Sequence, residues 1–219
     1  MNERSGAEED LRIIRSLMER ATVYRAISAP TALVAGLLST LAGGAIYYNN
    51  AIRPVLGRLV RPREFAVVWM FVLGLAVLAN AFFVWRGAKK SGRPFISSGM
   101  KLALRAIAPN LLIPAAFTLW FYTTGFKGGT EIDLVVVWVA FYGLALLSTA
   151  LFAPRSLALL GWAFLLTSLA VPTLLDRLEA LVDDVPTFVM GATFGFYHLI
   201  YAVCTWPRQG EATAQTAIE

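Results

Sequence analysis

The chain has 219 residues, a formal net charge of +5, one cysteine and one histidine; 58% of its residues are hydrophobic and 15% charged. Soluble chains carry about 45–50% apolar and about 25% charged residues. A water-soluble enzyme, a disordered regulator and a disulfide-stapled secreted domain therefore all fit poorly, and the composition is that of an integral membrane protein.

Residues 5–27 read as a helix preceding the first apolar stretch. Ser5 and Glu8 have capping-box spacing, Glu8, Glu9 and Asp10 crowd the positive end of the helix, and Arg20 and Arg25 sit at the negative end. Leu11, Ile14, Met18 and Ala21 recur at 3–4 spacing, which predicts an apolar stripe opposite a charged face. Such a stripe can pack under the protein's own bundle, lie on the membrane surface, or dock a soluble cytoplasmic partner. The first 25 residues are too charged for a cleavable signal peptide.

Six windows follow that are each long enough to cross a bilayer core, which needs roughly 20 mainly apolar residues. They run from Ser28 to Tyr48, Phe65 to Trp85, Ala106 to Phe126, Leu134 to Ala153, Leu157 to Leu175 and Thr187 to Trp206, and none contains Asp, Glu, Lys or Arg. The expected fold is all-α: a polytopic bundle of six transmembrane helices over 28–206, with a cytoplasmic amphipathic helix at 1–27 and a flexible cytoplasmic tail at 207–219. With the N-terminus inside, the inner segments hold thirteen of the 19 Lys and Arg and the outer segments six. That asymmetry places both termini in the cytoplasm. The four Arg of the first outer loop (Arg53, Arg58, Arg61 and Arg63) run against the trend. Asp176, Glu179, Asp183 and Asp184 make the last outer loop acidic, in keeping with it.

The inner loop after the second window carries Arg86, Lys89, Lys90, Arg93, Lys101 and Arg105 with no acidic residue. Topology and contact with lipid headgroups account for such a loop. No recognition element accompanies the charge, so nucleic acid is not an expected partner. The lipid bilayer, a soluble cytoplasmic protein and a second copy of the chain are the candidate partners.

A shift of 69 residues aligns the second and fourth windows. VVWMFVLGLAVLANAFFVWR at 67–86 and VVWVAFYGLALLSTALFAPR at 136–155 share ten of twenty positions, among them Trp69 with Trp138, Gly74 with Gly143 and Arg86 with Arg155. The match predicts an internal repeat whose two helices run in the same direction.

Charges inside a span usually mark a pathway or relay, and the windows hold only neutral polar groups. Asn110 lies between Pro109 and Pro114. Proline removes a backbone donor, so a kinked third span with Asn110 beside the opened backbone is expected. The candidate intramembrane polar site comprises Asn80, Asn110, Tyr197, His198 and Tyr201. Two roles compete for His198: an interhelical hydrogen bond made by a neutral imidazole, and a functional or pH-sensing group. A single histidine excludes a bis-histidine haem, and no ligand cluster points to zinc. No G-x-S-x-G, H-E-x-x-H or P-loop pattern occurs. No cofactor, metal or enzymatic activity is expected.

Four stretches bear a likeness to known sequences: IRSLMER at 14–20 followed by Ser28 and Gly36, WRGAKKSG at 85–92, FYGLALL at 141–147 and TFGFYHLIYA at 193–202. On these the chain resembles a group of small multi-span bacterial integral membrane proteins with no established chemistry. The resemblance implies a multi-span fold in the bacterial inner membrane. The group commonly carries an acidic residue in the fifth span, and this chain has none there. The leading reading is a non-enzymatic membrane-embedded regulator or scaffold that uses its cytoplasmic helix (Leu11, Ile14, Met18) and basic loop (Arg86, Lys89, Lys90, Arg93, Lys101). The alternative is a small transporter or channel for a neutral or weakly polar solute, with its site between Asn110 and the His198–Tyr201 region.

Overall fold

The structure, a computed structural model, describes residues 11–14, 28–52, 60–90, 92, 96, 98–125, 127, 129–150 and 153–206. Every regular element among them is helical. In chain order these are α1 (Ala29–Tyr47), which ends in a π turn over Tyr48–Ile52, α2 (Pro62–Lys90) and α3 (Ser98–Thr124). They are followed by α4 (Glu131–Leu147), α5 (Arg155–Thr173), the short α6 (Leu175–Glu179) and α7 (Val185–Thr205). Helix α7 is α-helical to Met190, widens to a π coil over Gly191–Tyr197, and returns to α-helix at His198.

Five helices are long and apolar enough to cross a membrane: α1 with its π turn, α2, α3, α5 and α7. The predicted fourth window is different. Helix α4 has 17 residues, about 26 Å at 1.5 Å per residue, and gives way to turns over residues 148–150. Of the predicted N-terminal helix, residues 11–14 form one helical turn. The rest of it, including Met18, and the tail at 207–219 lie outside the described residues.

Local chemistry explains where the helices begin. The Asp133 carboxylate accepts the Thr130 N–H at 2.7 Å and its hydroxyl at 3.0 Å, closing the first turn of α4. Asp184 Oδ1 accepts the Thr187 N–H at 3.1 Å at the start of α7, and its Oδ2 accepts from Asn50 Nδ2 at 2.8 Å. Asn50 Oδ1 in turn accepts the Val60 N–H at 2.9 Å. One polar knot thus ties the end of α1, the approach to α2 and the start of α7. At the same end of the molecule, the Arg63 guanidinium lies over the Tyr122 ring, 5.6 Å from its centroid.

Helix α4 is the centre of the bundle. It packs most extensively on α5, and on its other sides meets α3 and the first turns of α7. Leu134, Val135 and Val139 of α4 and Phe164 of α5 are fully enclosed. Helix α1 packs between α2 and α7, while α2 and α3 barely touch each other.

Two of these contacts depend on absent side chains. A Cβ on Gly143 would lie 2.8 Å from the Gly161 carbonyl oxygen, so the α4 and α5 backbones meet directly. A Cβ on Gly195 would lie 2.6 Å from Thr40 Oγ1, and one on Gly36 would meet Leu199 at 2.9 Å, which brings α1 and α7 equally close. Small residues at such crossings let helices approach in lipid, where no hydrophobic force drives them together.

The two segments aligned by the 69-residue shift meet near their starts. Trp69 and Trp138 are both buried, and the Phe65 ring packs between them, stacked on Trp138 at 6.5 Å and tilted against Trp69 at 6.2 Å. Beyond that the copies part. Gly143 sits at the α4–α5 crossing, whereas a Cβ on Gly74 would have nothing within 4 Å. Arg86 lies within α2, whereas Arg155 opens α5.

Candidate functional site

The only histidine sits where α4, α5 and α7 converge. His198 begins the final α-helical part of α7 and is 6% exposed. Its Nε2 lies 2.7 Å from the Tyr142 hydroxyl of α4, a hydrogen bond whose direction the imidazole tautomer sets. One residue earlier, the Tyr197 hydroxyl lies 2.9 Å from Thr167 Oγ1 of α5, which also donates to the Ala163 carbonyl at 2.8 Å.

Aromatic rings fill the space between these two bonds. Tyr142 packs on Phe164 at 4.8 Å and on Phe194 at 5.0 Å, and Phe164 meets Phe194 edge-on at 5.1 Å. The Phe194 and His198 rings are nearly parallel, with centroids 6.3 Å apart. Centroid separations of 4.5–7 Å are ordinary contact for aromatic pairs, so the rings occupy the volume around the imidazole themselves. The π coil brings these groups into line. By widening α7 over Gly191–Tyr197 it resets the angular position of everything after it, and single π segments often occur at functional sites.

Of the residues predicted for the site, Tyr197, His198 and Tyr201 come together on α7; Tyr201 is buried one turn beyond His198. Asn80 and Asn110 do not join them through any hydrogen bond described. Asn80 lies on α2, its side-chain oxygen buried without a partner among the described residues. Asn110 donates to the Ala106 carbonyl of its own helix at 3.3 Å. Helix α3 runs continuously through Pro109 and Pro114, and packs on α4 rather than around His198.

Sequence reasoning did not place Tyr142, Phe164, Phe194 or Thr167 in the site. Tyr142 alone offered a signal, as a phenol in the middle of an apolar stretch. Thr118 is similar: its hydroxyl donates to the Pro114 carbonyl at 2.6 Å and accepts the Trp138 indole N–H at 2.8 Å.

The surface residues of the prediction stay on the surface. Leu11 and Ile14 are 66% and 51% exposed. Arg86, Lys89, Lys90 and Lys101 are exposed at the adjoining ends of α2 and α3, with the Lys89 ammonium over the Trp85 ring at 5.4 Å. Arg93 lies outside the described residues.

Five helices of membrane-crossing length and apolarity are compatible with a membrane protein. Comparison with protein-family models, with curated proteins and with solved structures finds no match. The functional reading therefore rests on the side chains themselves.

Proposed function

We propose that this chain is a non-enzymatic six-span protein of the bacterial inner membrane, with both termini cytoplasmic, acting as a membrane-embedded regulator or scaffold. The observation that carries this reading is the contrast between a closed interior and an uncovered N-terminal turn. In the His198 cluster Nε2 and the Tyr197 hydroxyl are hydrogen-bonded across the helices and the rings pack on one another, as in a structural staple, while His198 Nδ1 is buried with no partner among the described residues. Leu11 and Ile14 are not covered by the bundle, which supports an apolar stripe offered to the membrane surface or to a soluble partner.

The sixth crossing in this reading is α4. Its central place between α3 and α5 supports that role, as do Glu131 and Asp133 at one end and Arg155 beyond the other.

The test is native mass spectrometry of complexes extracted gently from the membrane. A soluble polypeptide should travel with the wild type and be lost from the combined Leu11→Ser, Ile14→Ser and Met18→Ser variant, whose bundle stays folded. Identical complexes from both proteins would count against the regulator reading.

Transport of a neutral solute is the second reading, favoured by the π coil beside His198. It requires His198→Ala to abolish solute flux without loss of folded protein. Asn110→Ala should leave flux unchanged, because Asn110 bonds within its own helix. Wild-type flux in the His198 variant would remove this reading.

A further inference from the structure

One end of the α2–α3 pair is chemically one-sided. Between Glu64 and Glu131 the sequence has no Asp or Glu, yet Arg86, Lys89, Lys90, Arg93, Lys101 and Arg105 fall within twenty positions. The first three occupy the last turns of α2. Lys101 and Arg105 stand one turn apart near the start of α3, on the same face of the helix. Arg86, Lys89, Lys90, Lys101 and Arg105 are exposed, and only seven residues, 91–97, separate the two helices along the chain.

The same two helices form the least enclosed flank of the bundle. Only 11% of the apolar window of α2 and 6% of that of α3 is buried, against 33–44% for the other three candidate spans. Phe82 and Trp85 on α2 and Leu102, Leu104 and Leu112 on α3 are exposed. The two helices make little contact with each other, so the apolar surface along both needs a cover that is itself apolar. At its basic end the cover must be anionic.

We propose that an anionic diacyl phospholipid is held at this flank. Its phosphate lies among Lys101, Arg105 and the Arg86–Lys90 end of α2, and its acyl chains lie along α2 and α3. The proposal deepens the membrane reading above and rests on it. Charge complementarity selects the headgroup, since a cationic choline group would meet like charge. The apolar walls directly beyond Arg105 select a lipid over a soluble anion: the uncharged window starts at the next residue, Ala106. Trp85, half exposed beneath Lys89, suits the depth of the headgroup boundary.

The experiment uses the full-length protein in nanodiscs of equal parts phosphatidylglycerol and phosphatidylcholine, with retained lipids counted by native mass spectrometry. Phosphatidylglycerol should be retained preferentially by the wild type. The double variant Lys101→Gln with Arg105→Gln should weaken that preference by about fivefold for each charge removed. The charge-keeping Lys101→Arg with Arg105→Lys should preserve it, as should Arg61→Gln with Arg177→Gln at the opposite end. Equal retention of the two lipids by the wild type would overturn the proposal. So would an equal loss in the opposite-end variant, or displacement of the lipid by inorganic phosphate. Alkaline extraction of the native membrane separates the two levels of failure. Protein released there removes the membrane reading altogether, whereas protein that stays embedded without lipid preference removes only this one.

Discussion

Tyr142 and His198 are 56 positions apart in the chain and 2.7 Å apart in the structure. In lipid the alternatives to such a bond are few, and measured interhelical hydrogen bonds average about 0.6 kcal/mol with a maximum of about 1.7 kcal/mol. Tyr142→Phe keeps the ring packing against Phe164 and Phe194 and removes only the hydroxyl, so it should cost about that much. The check is reversible unfolding in mixed micelles. His198→Ala should cost more, because it also leaves a hole among the rings. In a double-mutant cycle, Tyr142→Phe and His198→Ala should be strongly non-additive, whereas Tyr142→Phe and Thr167→Val should couple less, since Thr167 bonds Tyr197 instead. Equal coupling in both cycles would show that the cluster responds as one unit rather than through its separate bonds. His198 stood out in the sequence because it is the only residue of its kind. Tyr142 offered only a phenol in an apolar run, which says nothing about what it faces.

At the scale of the element, the two glycines paired by the sequence repeat separate cleanly. Gly143 touches the α5 backbone and Gly74 touches nothing. Gly143→Ala must push α4 and α5 apart and should destabilise by about 1–3 kcal/mol, the usual cost of overpacking. Gly74→Ala should be neutral or stabilising by up to about 1 kcal/mol, through helix propensity alone. Thermal stability of the two variants in one detergent decides the point; equal effects would contradict the packing described. Helix starts are equally specific. Asp184 serves both the first turn of α7 and Asn50 at the end of α1, so Asp184→Ala should cost about 0.5–2 kcal/mol for the lost cap alone. Asp184→Asn, which keeps an acceptor for the Thr187 N–H, should recover part of it in the same assay. Apolarity located these elements to within about eight residues at either end. The early end of α4 departs from the predicted window: residues 148–150 are as uncharged as the rest of it, so hydropathy carried no mark of the turn there.

For the whole molecule, the number of crossings sets where the termini lie. If α4 crosses along with the five longer helices, an even number of spans puts both ends on one side. Reporter fusions at the N-terminus and after residue 206 should then both read as cytoplasmic. A C-terminal fusion reporting from the outside would mean that α4 stays within the bundle without crossing. The structure ties the end opposite the Arg86–Arg105 loop together through Asn50, Asp184, Arg63 and Tyr122 and leaves α2 and α3 apart, so the molecule is enclosed on the α4–α5–α7 side and open on the other.

Composition and the spacing of charge determined, without any structure, that the chain is built of long apolar helices, roughly where each lies, and which loop is basic. These are sums over neighbouring residues, and the cost of placing charge or unpaired backbone in lipid makes such sums decisive. Only the tertiary structure decided which helices meet. It put α4 at the centre, kept Asn110 out of the His198 cluster and gave His198 its partner, and it made Gly143 a contact and Gly74 a free surface. Apolar helices in lipid have no hydrophobic reason to prefer one neighbour over another. The choice falls to close fits and hydrogen bonds between residues far apart in the chain, which no local pattern contains.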